Sequence, residues 1–206
     1  MNAASGKYIA RMDADDLMHV DRLKIQRSIM NEHPEITACG TWATIFGDAS
    51  QEKNLMGTAK GMIDLPLLNL LPGNFIFHPT AMLRADFYKQ QGLQYEHYPY
   101  AEDYKLWVEI AKLGGKFYVE SQPLLYYRVS DSQVSTVHKT EQEKTTERIK
   151  AEIMTYLIEK NAEGYPELTD IDAAFCKLKD KGLITENEAS TFLQLIFLKN
   201  REKLSI

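Results

Sequence analysis

The first apolar run, Lys7 to Met12, is short and stops against acidic residues, which reads as a buried strand ending at the surface. Behind it, Asp21 to Glu32 carries Leu23, Ile25, Ile29 and Met30 at helical spacing and is stopped by Pro34. Ile36 to Phe46 is rich in β-branched and aromatic residues and runs into Gly47-Asp48-Ala49-Ser50, a strand followed by a loop. Ile63 to Leu71 predicts a short helix with Pro66 in its first turn. Phe75 to Leu83 predicts an extended stretch around His78-Pro79-Thr80, and Ala85 to Gln91 a short helix stopped by Gly92. Glu102 to Leu113 gives the clearest helical pattern of the centre, with Leu106, Trp107, Ile110 and Leu113 on one face and Gly114 closing it. Lys116 to Val119 and Leu124 to Val129 predict two strands.

After Val129 the pattern changes. Ser130 to Thr146 is polar, and from about Gln142 three helical patterns follow. The last two carry T-x-x-acidic starts at Thr169-Asp172 and Thr185-Glu188, and the middle one closes at Gly182. A boundary near His138 is expected, giving an α/β body over residues 1–137 and an all-helical tail over 138–206. The chain has no internal repeat or low-complexity segment.

At 206 residues and 44% hydrophobic, the chain can bury a sizeable core. Its net charge of −5 argues against nucleic acid as a partner held through overall charge. The two cysteines, Cys39 and Cys176, have no metal-binding spacing, which speaks for a reducing compartment and against structural zinc. The richest apolar stretch, Leu65 to Leu83, is broken by Pro66, Pro72, Gly73, His78 and Pro79, so no bilayer span is expected, and MNAASGKYIA does not read as a signal peptide. A cytoplasmic location follows.

Asp13, Asp15 and Asp16 sit directly behind the first strand. Two aspartates one residue apart repel each other and gain nothing from packing, which points to a metal ion, a metal-bound phosphate or water between them. An EF-hand loop counted from Asp13 fails, with Leu17 at the fifth position, Met18 where glycine is needed and Lys24 where glutamate should sit. A phosphatase-like hydrolase would pair these acids with a later motif, Gly47-Asp48 and Glu52, but too little chain separates the two. A strand-end Asp-x-Asp carrying a divalent ion against a nucleotide diphosphate remains, beside a solvated acidic turn before a helix, where aspartates are common as caps; Asp16 reads as a cap of the turn itself. Glu102-Asp103 is a second acidic pair, in the first turn of a helix, where it serves either as a base or as ordinary helix-end charge. His19, His33, His97 and His138 read as surface residues.

The segments AASGKYIARMDADDLMHVDRLKIQ, HPTAMLRADFYKQQG and YPYAEDYKLWVEIAKLGGKFYVESQPLLYYRVSDSQVS, in this order over roughly Asn2 to Ser135, resemble glycosyltransferase family 2. The resemblance implies an α/β GT-A fold, a nucleotide-diphospho-sugar donor and inversion at the anomeric carbon. Asp15 would ligate Mn²⁺ or Mg²⁺ together with Asp13, while Arg11 and Arg128 would join Asp13 in holding the donor. Asp103 would be the catalytic base, with His78 and Glu102 on the acceptor side. Ser130 stands where relatives frequently carry histidine. No Gln-x-x-Arg-Trp run occurs, which favours addition of a single sugar, to a glycan or lipid-linked acceptor at the inner membrane face with peripheral membrane association.

In that family the Asp-x-Asp follows a nucleotide-binding half on the order of 90 residues, at about 30 per β-α unit. The chain is therefore expected to be the C-terminal part of such an enzyme. Self-association is expected through open strand edges, covered by the tail's apolar end, Phe192-Leu193-Leu195-Ile196-Phe197-Leu198. A truncated, non-catalytic remnant or scaffold binding a partner through its helical tail is the alternative from a different class.

Overall fold

The computed structural model describes residues 3–47, 54–55, 59–129 and 138–206. Asp48, Glu52 and Ser130, which the sequence singles out, lie outside these. At the centre, β3 (Ile36–Gly47) and β7 (Lys116–Val129) run parallel. Ile36 through Thr41 are all buried, as a strand covered on both faces requires. On one side, β6 (Met82–Arg84) pairs antiparallel with β3, and β1 (Tyr8–Ala10) pairs with β6. On the other, β7 pairs antiparallel first with β5 (Gly61–Ile63) and then with β2 (Leu17–Met18); β4 (Asn54–Leu55) pairs with β3. The mixed α/β class expected from the sequence is found.

The single strand β7 replaces the two that the sequence predicts. Its register against β3 shifts around Thr41, Trp42 and Ala43, opposite Glu120 to Leu125. This irregularity accommodates Pro123, which has no N–H to give the ladder, and the second half of β7 goes on to a new partner, β2.

One face of the sheet is covered by α1 (Arg22–Glu32), whose Met30 packs with Ile36, Cys39 and Met82. The larger core unites α2 (Pro66–Leu70), α3 (Ala85–Gln90) and α4 (Glu102–Lys112) with the tail helices α5 (Lys139–Asn161), α6 (Glu167–Asp180) and α7 (Glu186–Lys199). Ile153 and Leu157 of α5 and Leu193 and Phe197 of α7 are fully buried in the same cluster as Trp107 and Phe117. The apolar end of α7 therefore divides: Leu193 and Phe197 face this core, whereas Phe192, Leu195 and Leu198 are exposed. Among the described residues no helix is long and apolar enough to cross a membrane.

Several local expectations are corrected. Ile63 ends β5, and the helix begins at Pro66, its first residue. A 3₁₀ turn, His78–Thr80, interrupts the stretch read as extended. Leu113 lies at the end of α4 and is exposed, not on its buried face. α6 starts at Glu167 behind Pro166, so Thr169 lies within the helix and does not cap it. Thr185 does cap α7: the Glu188 N–H donates to Thr185 Oγ1 at 3.2 Å, and the Thr185 N–H donates to Glu188 Oε2 at 2.7 Å.

The turn after α4 depends on two glycines for different reasons. Gly114 has φ +77°, and at Gly115 an added Cβ would collide with Ile110 Cγ2 and lie 2.8 Å from the Ile110 carbonyl oxygen. Gly115→Ala is expected to destabilise the protein by about 1–3 kcal/mol through overpacking, read as a lower urea midpoint at unchanged slope.

Candidate active site

The sheet curls so far that Arg11 to Asp16 alone lead from β1 on one edge to β2 on the other. The Arg11 N–H donates to the Ala81 carbonyl at 2.9 Å, after which the chain turns, with the Asp16 N–H on the Asp13 carbonyl at 3.3 Å. The Arg11 guanidinium grips Asp13 with two contacts of 2.8 and 2.5 Å. Asp15 is exposed. Asp16, read as a capping residue, is instead 5% exposed and accepts the Arg128 N–H on Oδ1 at 2.9 Å, fastening the end of β7 to the turn. Its Oδ2 has no hydrogen-bond partner among the described residues. Burial raises the Asp16 carboxyl above the ordinary aspartate range; the charges of Asp13 and Asp15 add to this, against the opposing Arg128 amide. Arg128 also donates from Nε to the Asp15 carbonyl at 2.8 Å and lays its guanidinium over Phe46 at 4.5 Å.

Beneath the turn lies a feature that hydropathy conceals. α1 buries Arg22, Gln26 and Met30, while Leu23 is exposed. Arg22 Nη2 donates to the Arg11 carbonyl at 2.7 Å and Nε to Gln26 Oε1 at 3.0 Å. Gln26 Nε2 in turn donates to the Cys39 and Thr80 carbonyls at 2.7 and 2.9 Å. One polar seam thus holds the acidic turn, β3 and the His-Pro-Thr turn together. Burial pushes the Arg22 guanidinium down to about 10, so it remains charged at neutral pH.

The second acidic pair opens α4. The Asn74 side chain donates to Asp103 Oδ2 at 2.9 Å. Burial raises the Asp103 carboxyl, the backbone amides of Tyr104 and Asp103 partly offset this, and the nearby Glu102 and Arg11 act in opposite senses. Glu102 is exposed and accepts the Tyr100 N–H at 3.3 Å; Tyr100 itself sits at φ +63°. His78 Nε2 lies 2.7 Å from Tyr95 Oη, and its ring meets Tyr95 and Trp107 edge-on. Burial, with a smaller push from Arg11, lowers His78 to about 3, which keeps it neutral across physiological pH.

Arg11, Asp13, Asp103, His78 and Tyr95 therefore share one electrostatic neighbourhood. The sequence reading missed Arg22, Gln26, Asn74 and Tyr95. His138, read as a surface residue, is half-buried and stacks on Tyr100 at a centroid distance of 4.2 Å. The available signal was the run Tyr95-Glu96-His97-Tyr98-Pro99-Tyr100 directly before Glu102-Asp103, since aromatics crowded into a short loop need somewhere to pack.

The donor set fits Mn²⁺ or Mg²⁺. Asp15 offers an exposed carboxylate with no side-chain partner among the described residues, and Asp16 Oδ2 is a second, unpaired hard oxygen. No group of three or more His, Cys, Asp or Glu residues is arranged around one point among the described residues, and one or two carboxylates completed by phosphates and water are what such ions commonly take.

The profile of Glycosyl transferase family 2 matches residues 1–92. An uncharacterized glycosyltransferase of Haemophilus influenzae is 35% identical over 167 residues, covering 76% of this chain and 50% of that protein. The amylovoran biosynthesis glycosyltransferase AmsE of Erwinia amylovora is 32% identical over 112 residues, covering 52% of this chain and 39% of that protein. Among solved structures, S. aureus TarS 1-349 aligns with a TM-score of 0.49 at 17% identity, covering 74% of this chain and 42% of that one. The chain belongs to glycosyltransferase family 2. It spans half or less of the length of these two relatives.

Proposed function

We propose that this chain carries the metal-binding and acceptor-side part of an inverting glycosyltransferase that moves a single sugar from a nucleotide-diphospho-sugar to a hydroxyl of a glycan or lipid-linked acceptor. The observation that carries this reading is the physical link between the two acidic sites: Arg11 pairs with Asp13, the Arg22–Gln26 seam ties the Arg11 carbonyl to the His-Pro-Thr turn, and His78 of that turn packs on Trp107 of the helix that Asp103 opens. Donor phosphates and the acceptor hydroxyl need such a common centre if the nucleophile is to approach opposite the leaving group.

In this reading Asp15 holds the divalent ion with Asp16 Oδ2 as the second oxygen, and Asp13, both of whose oxygens Arg11 occupies, stands beside the site. When bound, that ion supplies positive charge against the departing diphosphate. Arg11 and Arg128 hold the donor side of the turn. Asp103 takes the proton of the acceptor hydroxyl on Oδ1 or Oδ2, oriented by the Asn74 amide on Oδ2. Burial raises its carboxyl, which makes the ionised form a stronger base than an ordinary aspartate. Glu102 and His78 shape the acceptor side, His78 as a neutral group.

The test, made in the full-length enzyme of which this proposal makes the chain a part, is transfer of labelled sugar from a panel of nucleotide sugars with Mn²⁺, together with titration calorimetry of the donor. Asp15→Ala is expected to remove the metal-dependent part of donor binding and leave the thermal midpoint nearly unchanged, because an exposed strand-end acid contributes little packing. Donor affinity that responds to Mn²⁺ equally in both proteins overturns the metal assignment. Self-association belongs to the same proposal: the exposed Phe192, Leu195 and Leu198 and the outer edges of β1 and β2 would be the contact surfaces. Sedimentation showing a monomer at high concentration removes it.

A further inference from the structure

The loop from Leu93 to Ala101 leads into Glu102-Asp103 and carries three tyrosines, each fixed to a different part of the molecule. Tyr98 is buried and donates to Glu152 of α5 at 2.6 Å, with the Arg148 guanidinium over its ring at 4.3 Å. Tyr100 stacks on His138 at the start of α5, and its carbonyl accepts from Gln142 at 2.7 Å. These two anchor the loop from the tail side. Tyr95 turns the other way, its hydroxyl end against His78 and the remainder exposed, 37% for the whole residue.

We propose that Tyr95 is an acceptor-contacting residue, a platform on which a neutral sugar ring of the acceptor packs, with one hydroxyl hydrogen-bonded to Tyr95 Oη while another reaches Asp103. This rests on the glycosyl-transfer reading and gives its acceptor a chemical class. The ring is held rigidly by its edge-on contact with His78, which is itself edge-on to the fully buried Trp107, so it presents a fixed apolar face at little ordering cost. With His78 neutral, the Nε2–Oη hydrogen bond leaves Tyr95 Oη a remaining donor or acceptor capacity for a substrate hydroxyl.

The charges around Tyr95 select against an anionic acceptor. Burial raises the Tyr95 phenol to about 12, so it stays protonated; of the charges acting on it Arg11 is the strongest but is already held by Asp13, and Asp103 and Asp13 oppose it. A phosphate or carboxylate placed here would face the Asp103 and Asp13 carboxylates, with Arg11 already paired to Asp13. A neutral pyranose meets no such penalty, and its axial C–H face suits an aromatic surface.

The experiment is saturation-transfer NMR on this chain with methyl β-D-glucopyranoside, methyl β-D-galactopyranoside and their 6-phosphates as probes. Transfer to ring protons of at least one neutral glycoside is expected, falling about tenfold in Tyr95→Ala and much less in Tyr95→Phe, which keeps the ring. The 6-phosphates are expected to bind more weakly than the neutral parents. Equal transfer in Tyr95→Ala, no transfer to the parent protein, or stronger binding of the phosphates each overturns the proposal. A circular-dichroism melt of Tyr95→Ala is run beside it; if that variant is unfolded, Tyr95→Leu, apolar but without the flat face, takes its place with the same expected loss. Donor calorimetry separates the two readings. Tyr95-dependent glycoside binding without any nucleotide-sugar binding by the full-length enzyme sinks the transferase reading and leaves the platform, whereas donor binding by that enzyme with Tyr95-independent glycosides does the reverse.

Discussion

Asp103→Asn is expected to lower kcat for sugar transfer by at least about 10²-fold while leaving donor affinity unchanged, the signature of losing a general base and not a binding contact. Asparagine keeps the volume and a carbonyl oxygen that still accepts from Asn74, so the start of α4 should be undisturbed. What disappears is the ionisable oxygen. The pH profile provides an independent check. Burial raises the Asp103 carboxyl, so the ionised base is lost as pH falls through a value above the ordinary aspartate value of 3.8, and the acid limb of kcat should lie correspondingly high. That limb should vanish in Asp103→Asn. Glu102→Gln, at an exposed residue whose Oε1 takes only the Tyr100 amide among the described hydrogen bonds, should be milder and should keep the limb in place. Transfer at the parental rate in Asp103→Asn would put the base elsewhere, and Glu102 would be the next residue to test.

The acidic pairs were legible because their spacing and order along the chain carry information that no packing detail alters. Strong periodic elements were legible for a similar reason: α1, β3, α4 and the Thr185 cap follow from apolar period and local hydrogen bonding. β2 and β5 escaped because two or three residues hold no detectable period, and they are strands only because β7 offers them an edge. Lys116 to Val119 and Leu124 to Val129 were read as two strands, yet the sheet absorbs Pro123 between them at a register shift and they form one. The supporting shell of the site escaped for a deeper reason. Arg22, Gln26, Lys105 and Glu152 are polar, and polar residues on helices are assigned to solvent unless something shows what they bond to. Arg22 and Gln26 bond to backbone carbonyls of Arg11, Cys39 and Thr80, partners that no side-chain pattern announces. Tyr95 likewise gains its meaning only from His78, seventeen positions away.

Lys105→Met is expected to destabilise the protein by about 3 kcal/mol, the low end of the range for breaking a buried ion pair by removing one partner. Lys105 stands two residues after Asp103 on α4 and is 6% exposed. Its ammonium lies 2.8 Å from Glu109 Oε1 and 2.8 Å from Glu152 Oε2, so it forms an ionic link between α4 and the tail helix α5. Methionine fills the space but removes the cation the two carboxylates share, leaving Glu109 with Lys112 and Glu152 with Arg148. The low end applies because Glu109 and Glu152 keep 27% and 28% of their side-chain surface, and water screens part of the repulsion. Glu152→Gln should cost less, since its amide oxygen still accepts from Tyr98 and Lys105 keeps Glu109. The network also fixes a pH window. Burial alone would lower the Lys105 ammonium, but its hydrogen bonds to Glu109 and Glu152 outweigh that and raise it. Its contribution is therefore fully present below the ordinary lysine value of 10.5 and is lost as pH rises through the folded value. Burial would raise Glu152, and hydrogen bonds from Lys105 and Tyr98 lower it instead. Its contribution is present above the ordinary 4.5 and is lost as pH falls through the folded value. Urea midpoints measured across that window should show a parental plateau that sits lower in Lys105→Met at unchanged slope. Because the same residues hold Tyr98 and hence the loop leading into Asp103, the variant assayed in its folded range should also show a higher KM for acceptor at constant donor affinity. A parental plateau and a parental acceptor KM together would mean that α5 packs on α4 through its apolar residues alone, and that the charged network between them does not position the base.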